Sequence, residues 1–514
     1  MRLLGQDLEF ERLPGAQPVH RAACDDAGLL AFAAAAKESG GRLVALWGSD
    51  ERDRGTGFAL HVAFALAEGL ALVTLALPAG HPEYPDLAPL FPAANRLQRA
   101  AFDLLGIVAR GADRRPWLRH ANWPADFHPL RRDCDASRQF PPQNEDYPFV
   151  RVEGEGVHEI AVGPIHAGVI EPGHFRFSVV GEKVLRLEER LGWTHKGVEK
   201  RFEQFRLADG HRLAGRICGD STVAYAWAYC LAAESLSGCQ VPQRALWLRA
   251  LLLERERIAN HLGDLGAIGN DAALSFGLSQ FMRLKEDWLR LSAELFGHRL
   301  TMDAIVPGGV AVELADPGGQ RLREQCDAIE RETHILKNIY DEHAGLQDRF
   351  LTTGRLDPAL ASEYSVSGIA GRASSQSWDL RTQNPIAPYD ELDTQIASHR
   401  SGDVAARVLV RFDEVFESLR LIRRIVDRLP RGGLTAPLPA AREGSLGVGW
   451  IEGWRGDVLV ALSAGAEGGI RRCHAHDPSW HVWPALEHAI MGNIVPDFPL
   501  INKSFNLAYS GVDS

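Results

Sequence analysis

The chain has 514 residues, enough for two or more domains, and its 45% hydrophobic and 24% charged content is that of an ordinary globular protein. A net charge of -11 leaves no broad basic footprint, which argues against a nucleic-acid partner, and no apolar run reaches the ~18 residues a membrane-spanning helix needs. The opening residues 1–9 carry no apolar signal core, so export is not expected and any membrane association should come through partners.

Residues 1–132 read as one small α/β domain: an alanine-rich helix over 23–39, strands over 42–47, 58–66 and 70–77, a proline-rich loop over 78–92, and a helix over 95–105. Trp117, Trp123 and Arg131 follow in a segment read as a packed loop and docking surface. Residues 133–150 form a polar, proline-bearing linker.

The rest, 151–514, opens with strands over 157–162, 175–180 and 183–187, with Gly181-Glu182 as a tight turn. Long amphipathic helices are predicted over 241–265, 278–296, 320–344 and 403–429, lengths that suit a bundle. On the first of these, Glu256, Asn260 and Asp264 recur at i, i+4 on a stripe of their own. Residues 445–462 alternate strand-like segments and turns, and 480–497 is partly helical, leading a terminal tail. The fold class expected is α+β: a small N-terminal α/β domain joined to a mainly helical domain with a small β-sheet at its start.

Seven cysteines stand at 24, 134, 218, 230, 239, 326 and 473, none in C-x-x-C spacing. A disulfide framework is not expected, and neither is a metal cluster held by this chain alone. His474, His476 and His481 gather around Asp477, but the spacing suits no standard zinc site.

Several blocks occur in one order: Gly163-Pro164-Ile165-His166, Thr194-His195-Lys196-Gly197-Val198-Glu199-Lys200, Arg216-Ile217-Cys218-Gly219, Glu256 to Asp264, Arg372-Ala373-Ser374 with Asp379-Leu380-Arg381, Glu452-x-x-Arg455-Gly456 and Asp497-Phe498-Pro499. In this order, from about 160 onward, the chain resembles the superfamily that unites the D-type subunit of respiratory complex I with nickel–iron hydrogenase large subunits. It is most similar to group 4, the membrane-bound energy-converting hydrogenases of formate hydrogenlyase and hydrogenase-4 type. The first 132 residues resemble the C-type subunit of complex I, with Gln98-Arg99-Ala100 where that family carries Glu-Arg-Glu.

The resemblance implies a four-thiolate metal pocket, and this chain departs from it. Cys218 stands at the first thiol position, Ser221 at the second, and Ala508 and Gly511 at the last pair; Tyr225 stands where hydrogenases have a histidine. Nickel needs soft thiolates, so hydrogenase activity is not expected. The quinone contacts of complex I are missing too: the tyrosine position is Gly219 and the histidine position is Ile170, unless His174 substitutes.

What the resemblance leaves is proton and charge coupling. His166 and Glu171 lie in the loop that faces the membrane-side proton route in relatives. Arg372, Asp379 and Arg381 match the segment lining the pocket in complex I, or form a structural pair only. Asp220 reads either as a surrogate proton site or as a helix cap, and His195 as part of a hydrogen-bond network. The function implied is that of a peripheral-arm subunit of an ion-translocating oxidoreductase complex on the cytoplasmic side of the inner membrane. Its expected partners are an iron–sulfur small subunit, a ferredoxin-like subunit and antiporter-like membrane subunits. Iron–sulfur clusters are expected on those partners and no cofactor on this chain, with quinone left open. An assembly scaffold and a quinone-reducing subunit are the other readings.

Overall fold

The computed structural model describes residues 1–120, 123–135, 137–141, 146–166 and 171–514. Part of the predicted linker, and Ile170, lie outside the described residues. A five-stranded sheet forms first, from β1 (Glu11–Arg12), β2 (Val19–Cys24), β3 (Arg42–Asp50), β4 (Phe58–Leu66) and β5 (Gly69–Leu77), in the order β1-β2-β5-β4-β3. Only the β2–β5 pair is parallel, and α1 (Asp26–Glu38) makes the crossover. The predicted helix over 23–39 starts later than expected. Residues 23 and 24 end β2, and Asp25 caps the helix by accepting the Gly28 N–H at 2.8 Å.

The two faces of this sheet have different partners. Leu43, Leu46, Val62 and Phe64 share a core with Leu29 and Phe32 of α1 and with Leu97 of α2 (Ala94–Leu105). On the other face Val44, Trp47, Ala63 and Leu72 meet Val448, Trp450, Leu459 and Ala461 from the far end of the chain. Those belong to an antiparallel sheet of β9 (Leu446–Glu452), β10 (Asp457–Ala464) and β11 (Ile470–His476); between the two in sequence comes the sheet β6 (Val157–Val162), β7 (His174–Val180) and β8 (Lys183–Arg190). The small domain is therefore packed face to face against the large one. Trp117 and Trp123 belong to that contact, near Trp480 and His195 respectively.

The helical body is α3 (Thr222–Ser237), α4 (Gln243–Asp271), α5 (Ser275–Phe296), α6 (Asp316–Glu342) and α7 (Val404–Arg428), followed by α8 (Ser479–Ala489) and α9 (Phe498–Phe505). Every one of the four long helices predicted from periodicity is present, with ends shifted by a few residues. Helix α3 lies directly on β9, and Gly447 and Gly449 make this approach feasible. A Cβ on either would stand 2.2 Å or 2.0 Å from a carbonyl of α3. Among the described residues no helix is long and apolar enough to cross a membrane. The mixed architecture is the α+β class expected from the sequence.

Candidate functional site

Four segments converge on one point. The turn over 216–221 leads into α3. The tight turn between β9 and β10 carries Arg455. The junction of β11 with α8 carries Asp477, and the C-terminal tail runs past all three.

Arg455 is the hub. Its Nε donates to the Asn506 carbonyl at 2.6 Å, and its two terminal nitrogens grip both oxygens of Asp220 at 2.6 and 2.5 Å. The same nitrogen that meets Asp220 Oδ1 also donates to Ser221 Oγ at 3.2 Å and lies 3.6 Å from Cys218 Sγ. The guanidinium sits 4.0 Å over the Trp454 ring. Cys218 Sγ in turn donates to Asp220 Oδ1 at 3.0 Å. The Asp220 carbonyl accepts from Asn260 Nδ2 at 2.7 Å and Trp454 Nε1 at 2.9 Å, which holds the turn against α4. Burial would raise the Asp220 carboxyl, but the Arg455 charge and its bidentate bonds prevail and bring it to about 2. Burial, with the neighbouring Asp220 charge, pushes the Cys218 thiol well above its ordinary value, so this cysteine is a protonated donor.

Opposite this hub, Asp477 Oδ2 accepts from the Tyr225 hydroxyl at 2.7 Å, and Asp477 Oδ1 from the Ser479 N–H at 2.8 Å. A Cβ on Gly511 would stand 2.5 Å from Asp477 Oδ2, so the carboxylate fills the space beside that position. Ala508 is held by its backbone: its N–H donates to Ser479 Oγ at 2.9 Å and its carbonyl accepts from Trp483 Nε1 at 3.0 Å.

The tail closes the site from below. Asp513 accepts from the N–H groups of Gly192 and Thr194 at 2.7 and 2.8 Å and from the Thr194 hydroxyl at 2.7 Å. Burial lifts its carboxyl to about 6 even against those bonds. His195 Nδ1 lies 2.9 Å from the Asp513 carbonyl, and Glu171 accepts the Ser510 N–H at 3.0 Å. His166 has a buried Nε2 without a hydrogen-bond partner among the described residues. His174 Nδ1 is tied to the Gly163 carbonyl at 2.9 Å, at the base of the loop that holds His166.

Arg372, Asp379 and Arg381 stand elsewhere, in a fully buried ion network between α4, α7 and β9. Arg372 donates to Glu414 at 2.7 Å and Glu452 at 2.8 Å and lies 3.6 Å from Asp379. Arg381 bonds Asp379 at 2.7 Å and Glu254 at 3.1 Å, while His261 Nε2 meets Glu414 at 2.8 Å. Arg257 completes it and also donates to the carbonyls of Glu452 and Gly453 at 2.8 and 3.0 Å. The network thereby buttresses the turn that presents Arg455.

One expectation changes. Asp220 does not cap a helix: Ser221 occupies the cap position of α3, its side chain making no capping bond to the helix, and the Asp220 carboxylate is taken by Arg455. The histidines around Asp477 stay near one another, with ring centroids 6.3 Å apart for His474–His476 and 5.2 Å for His476–His481, but two of them bond other groups. His474 pairs with Glu199 at 2.7 Å and His481 with the Val44 carbonyl at 2.9 Å, and among the described residues no group of three or more His, Cys, Asp or Glu is arranged for a metal ion. Sequence reasoning left out Arg455, Asp477, Tyr225 and Glu256 as members of the site. The Glu452-x-x-Arg455-Gly456 block was a signal for Arg455 and the i, i+4 stripe on α4 one for Glu256, while Tyr225 and Asp477 had been noted only as a replaced histidine and a neighbour of histidines.

Residues 22–140 match the family described as respiratory-chain NADH dehydrogenase, 30 Kd subunit, and residues 264–445 match the respiratory-chain NADH dehydrogenase, 49 Kd subunit. Formate hydrogenlyase subunit 5 of Escherichia coli K12 is 31% identical over 485 residues, covering 93% of this chain and 85% of that protein. Hydrogenase-4 component G of the same organism is 31% identical over 481 residues, covering 92% and 84%. The C/D subunit of NADH-quinone oxidoreductase from Bacteroides thetaiotaomicron is 27% identical over 498 residues, covering 91% and 93%. Among solved structures, a chain of the membrane-bound sulfane sulfur reductase, an archaeal respiratory membrane complex, superposes with a TM-score of 0.65 at 25% identity, covering 70% of this chain and 99% of that one.

Proposed function

The chain belongs to the family of fused, complex I-type 30 Kd/49 Kd large subunits that includes formate hydrogenlyase subunit 5 and hydrogenase-4 component G, and on that premise we propose that it is the peripheral-arm large subunit of a membrane-associated, ion-translocating oxidoreductase complex that works without nickel. In this reading it caps an iron–sulfur small subunit, next to a ferredoxin-like subunit, on the cytoplasmic side of the membrane. It passes the consequence of electron transfer to antiporter-like membrane subunits.

One observation carries the nickel-free part. A nickel–iron centre takes four soft thiolates, and positions 218, 221, 508 and 511 offer a thiol, a hydroxyl, a methyl group and a hydrogen atom. The one thiol is protonated, and the Arg455–Asp220 and Tyr225–Asp477 pairs lie across the remaining space. These residues do not fit the metal. They fit a site that holds charge: Asp220 with Arg455 at its centre, His166 and Glu171 on the loop beneath the tail, and the Arg372–Asp379–Arg381 network behind it. The quinone reading draws support from the C/D relatives, but Gly219 supplies no side chain to a headgroup.

The test is to purify the intact, cluster-loaded complex through a tag on this chain and to measure metals and turnover. The expected result is iron without stoichiometric nickel, redox turnover with a quinone or ferredoxin couple, and no dihydrogen. Stoichiometric nickel or dihydrogen evolution would sink the nickel-free assignment. An intact complex inert toward every donor–acceptor pair would leave an assembly scaffold.

A further inference from the structure

Behind the Asp220 turn, between α4 and α5, lies a cavity of about 210 Å³ whose lining includes Gly219, Thr222, Arg255, Glu256, Lys285 and Thr301. A water molecule takes about 30 Å³ of liquid, so the space holds a small polyatomic ligand. Its charges do not balance. Arg255 is 1% exposed, and its guanidinium bonds only neutral groups: Ser292 Oγ at 2.8 and 3.1 Å, the Trp288 carbonyl at 2.8 Å and Gln325 Oε1 at 3.2 Å. Its face lies 4.0 Å over the Trp288 ring. Among the described residues it has no carboxylate partner.

Lys285 is the second cation, and it makes no hydrogen bond or ion pair among the described residues. The carboxylates whose charge reaches it are committed elsewhere. Asp264 is held by Arg411 at 2.8 and 2.9 Å and by Asn506 at 2.6 Å, and Asp220 by Arg455. Glu256 does not offset the two cations. Its oxygens accept the N–H groups of Val223 and Ala224 at 2.6 and 3.2 Å, and burial pushes its carboxyl up to about 8, which favours the neutral acid. At the rim, Arg299 pairs at 2.7 Å with Glu286, which Arg290 shares at 2.9 Å. Thr222 lines the same wall, is 2% exposed, and has a hydroxyl without a hydrogen-bond partner among the described residues. Cations buried without counter-charge are costly, and proteins pair them with carboxylates or ligands.

We propose that this cavity binds a small oxyanion, of carboxylate to phosphate size, between Lys285 and Arg255. The anion supplies the charge and the acceptors that the protein leaves out. Asp220 of the neighbouring turn also lines it, while Cys218, Ser221, Ala508 and Gly511 are not among its lining residues, and the proposal holds whether or not the chain couples ion movement.

The test uses the purified full-length chain with acetate, phosphate and sulfate, against chloride at equal ionic strength. Lys285 acetylation by acetic anhydride, read by peptide mass spectrometry, is expected to fall saturably with at least one oxyanion, and the melting temperature to rise over the same concentrations. Lys285→Gln is expected to weaken that binding roughly ten- to a hundredfold, the loss of one charge-assisted bond, while Lys285→Arg retains it. The labelling arm needs no variant, and circular dichroism checks that K285Q is folded. Absence of saturable protection by any oxyanion overturns the proposal. So does unchanged binding in folded K285Q, or protection by a short-chain quinone alone.

Discussion

Gly511 shows how one carboxylate can fix the residue type beside it. A side chain there collides with Asp477, and Asp477 is held in place by Tyr225 and Ser479. Gly511→Ala is therefore expected to destabilise the chain by about 1–3 kcal/mol through overpacking. In an Asp477→Ala background the same change should cost much less. Urea unfolding of the four members of this cycle measures the coupling, and equal costs in both backgrounds would remove Asp477 as the cause. At Asp220 the ion pair with Arg455 carries a pH signature. Its folded carboxyl lies near about 2 against an ordinary 3.8, so the pair stabilises fully above the ordinary value and loses its effect as pH falls through about 2. The Asp220 side chain is 39% exposed, so solvent screening keeps the effect modest. The gap in urea midpoint between wild type and Asp220→Asn should accordingly be widest above pH ~4 and narrow toward pH ~2. A gap that does not change with pH would mean that the Arg455 charge is balanced by something else.

Helix α4 was readable in outline from its apolar periodicity, but what its polar residues do was not. Glu256, Asn260 and Asp264 stood out as a stripe of their own beside the apolar face, and in the structure Glu256 and Asp264 are buried and hold other elements in place. Their partners Val223 and Arg411 are 33 and 147 residues away in sequence, and no local rule links positions so far apart. The ion network across α4, α7 and β9 was legible only as the fragment Arg372, Asp379, Arg381, for the same reason. It contains three guanidinium groups (Arg257, Arg372, Arg381) and four carboxylates (Glu254, Asp379, Glu414, Glu452). Removing Arg372 leaves Glu414 and Glu452 short of a partner, and Arg372→Met is expected to cost about 3–5 kcal/mol by denaturant titration. Glu452 takes up the excess negative charge: burial, then the Asp379 charge, pushes its carboxyl to about 7 despite Arg372. A raised acid holds its proton in the folded state after the unfolded chain has released it. Wild type should therefore lose stability relative to Glu452→Gln as pH rises from about 4.5 to about 7, and no further above that. Parallel pH profiles of the two proteins would exclude Glu452 as the proton-holding member.

At the scale of the whole molecule, the linker composition of residues 133–150 pointed to a boundary and the Trp117–Arg131 segment to a docking surface, while the sheet faces that join the two parts did not name each other. Strands β3 and β9 each read as continuous apolar runs, the pattern of a strand covered on both sides, and nothing in either run names the other as its cover. In the structure Trp47 stacks on His474 at 4.9 Å, Trp450 N–H donates to Gln17 Oε1 at 2.8 Å, Arg42 meets Asp457 at 3.2 Å and Arg471 meets Asp53 at 2.8 Å. A chain cut after Gln139, where the backbone is exposed, would leave each piece with one uncovered apolar sheet face, Val44, Trp47 and Leu72 on one and Val448, Trp450 and Leu459 on the other. Exposed patches of that kind drive association or aggregation. The two pieces are therefore expected to aggregate when made separately and to copurify one to one when made together, and the intact chain to unfold in a single calorimetric transition. Trp47→Ala, which empties the centre of that face, should cost about 3–5 kcal/mol and weaken recovery of the cut pair. Two separable transitions in the intact chain, or a soluble and folded 1–139 piece indifferent to the other, would mean that the boundary in the linker is also a boundary of stability. The packing of β3 on β9 would then follow from the linker that tethers the two parts, and would not hold them together.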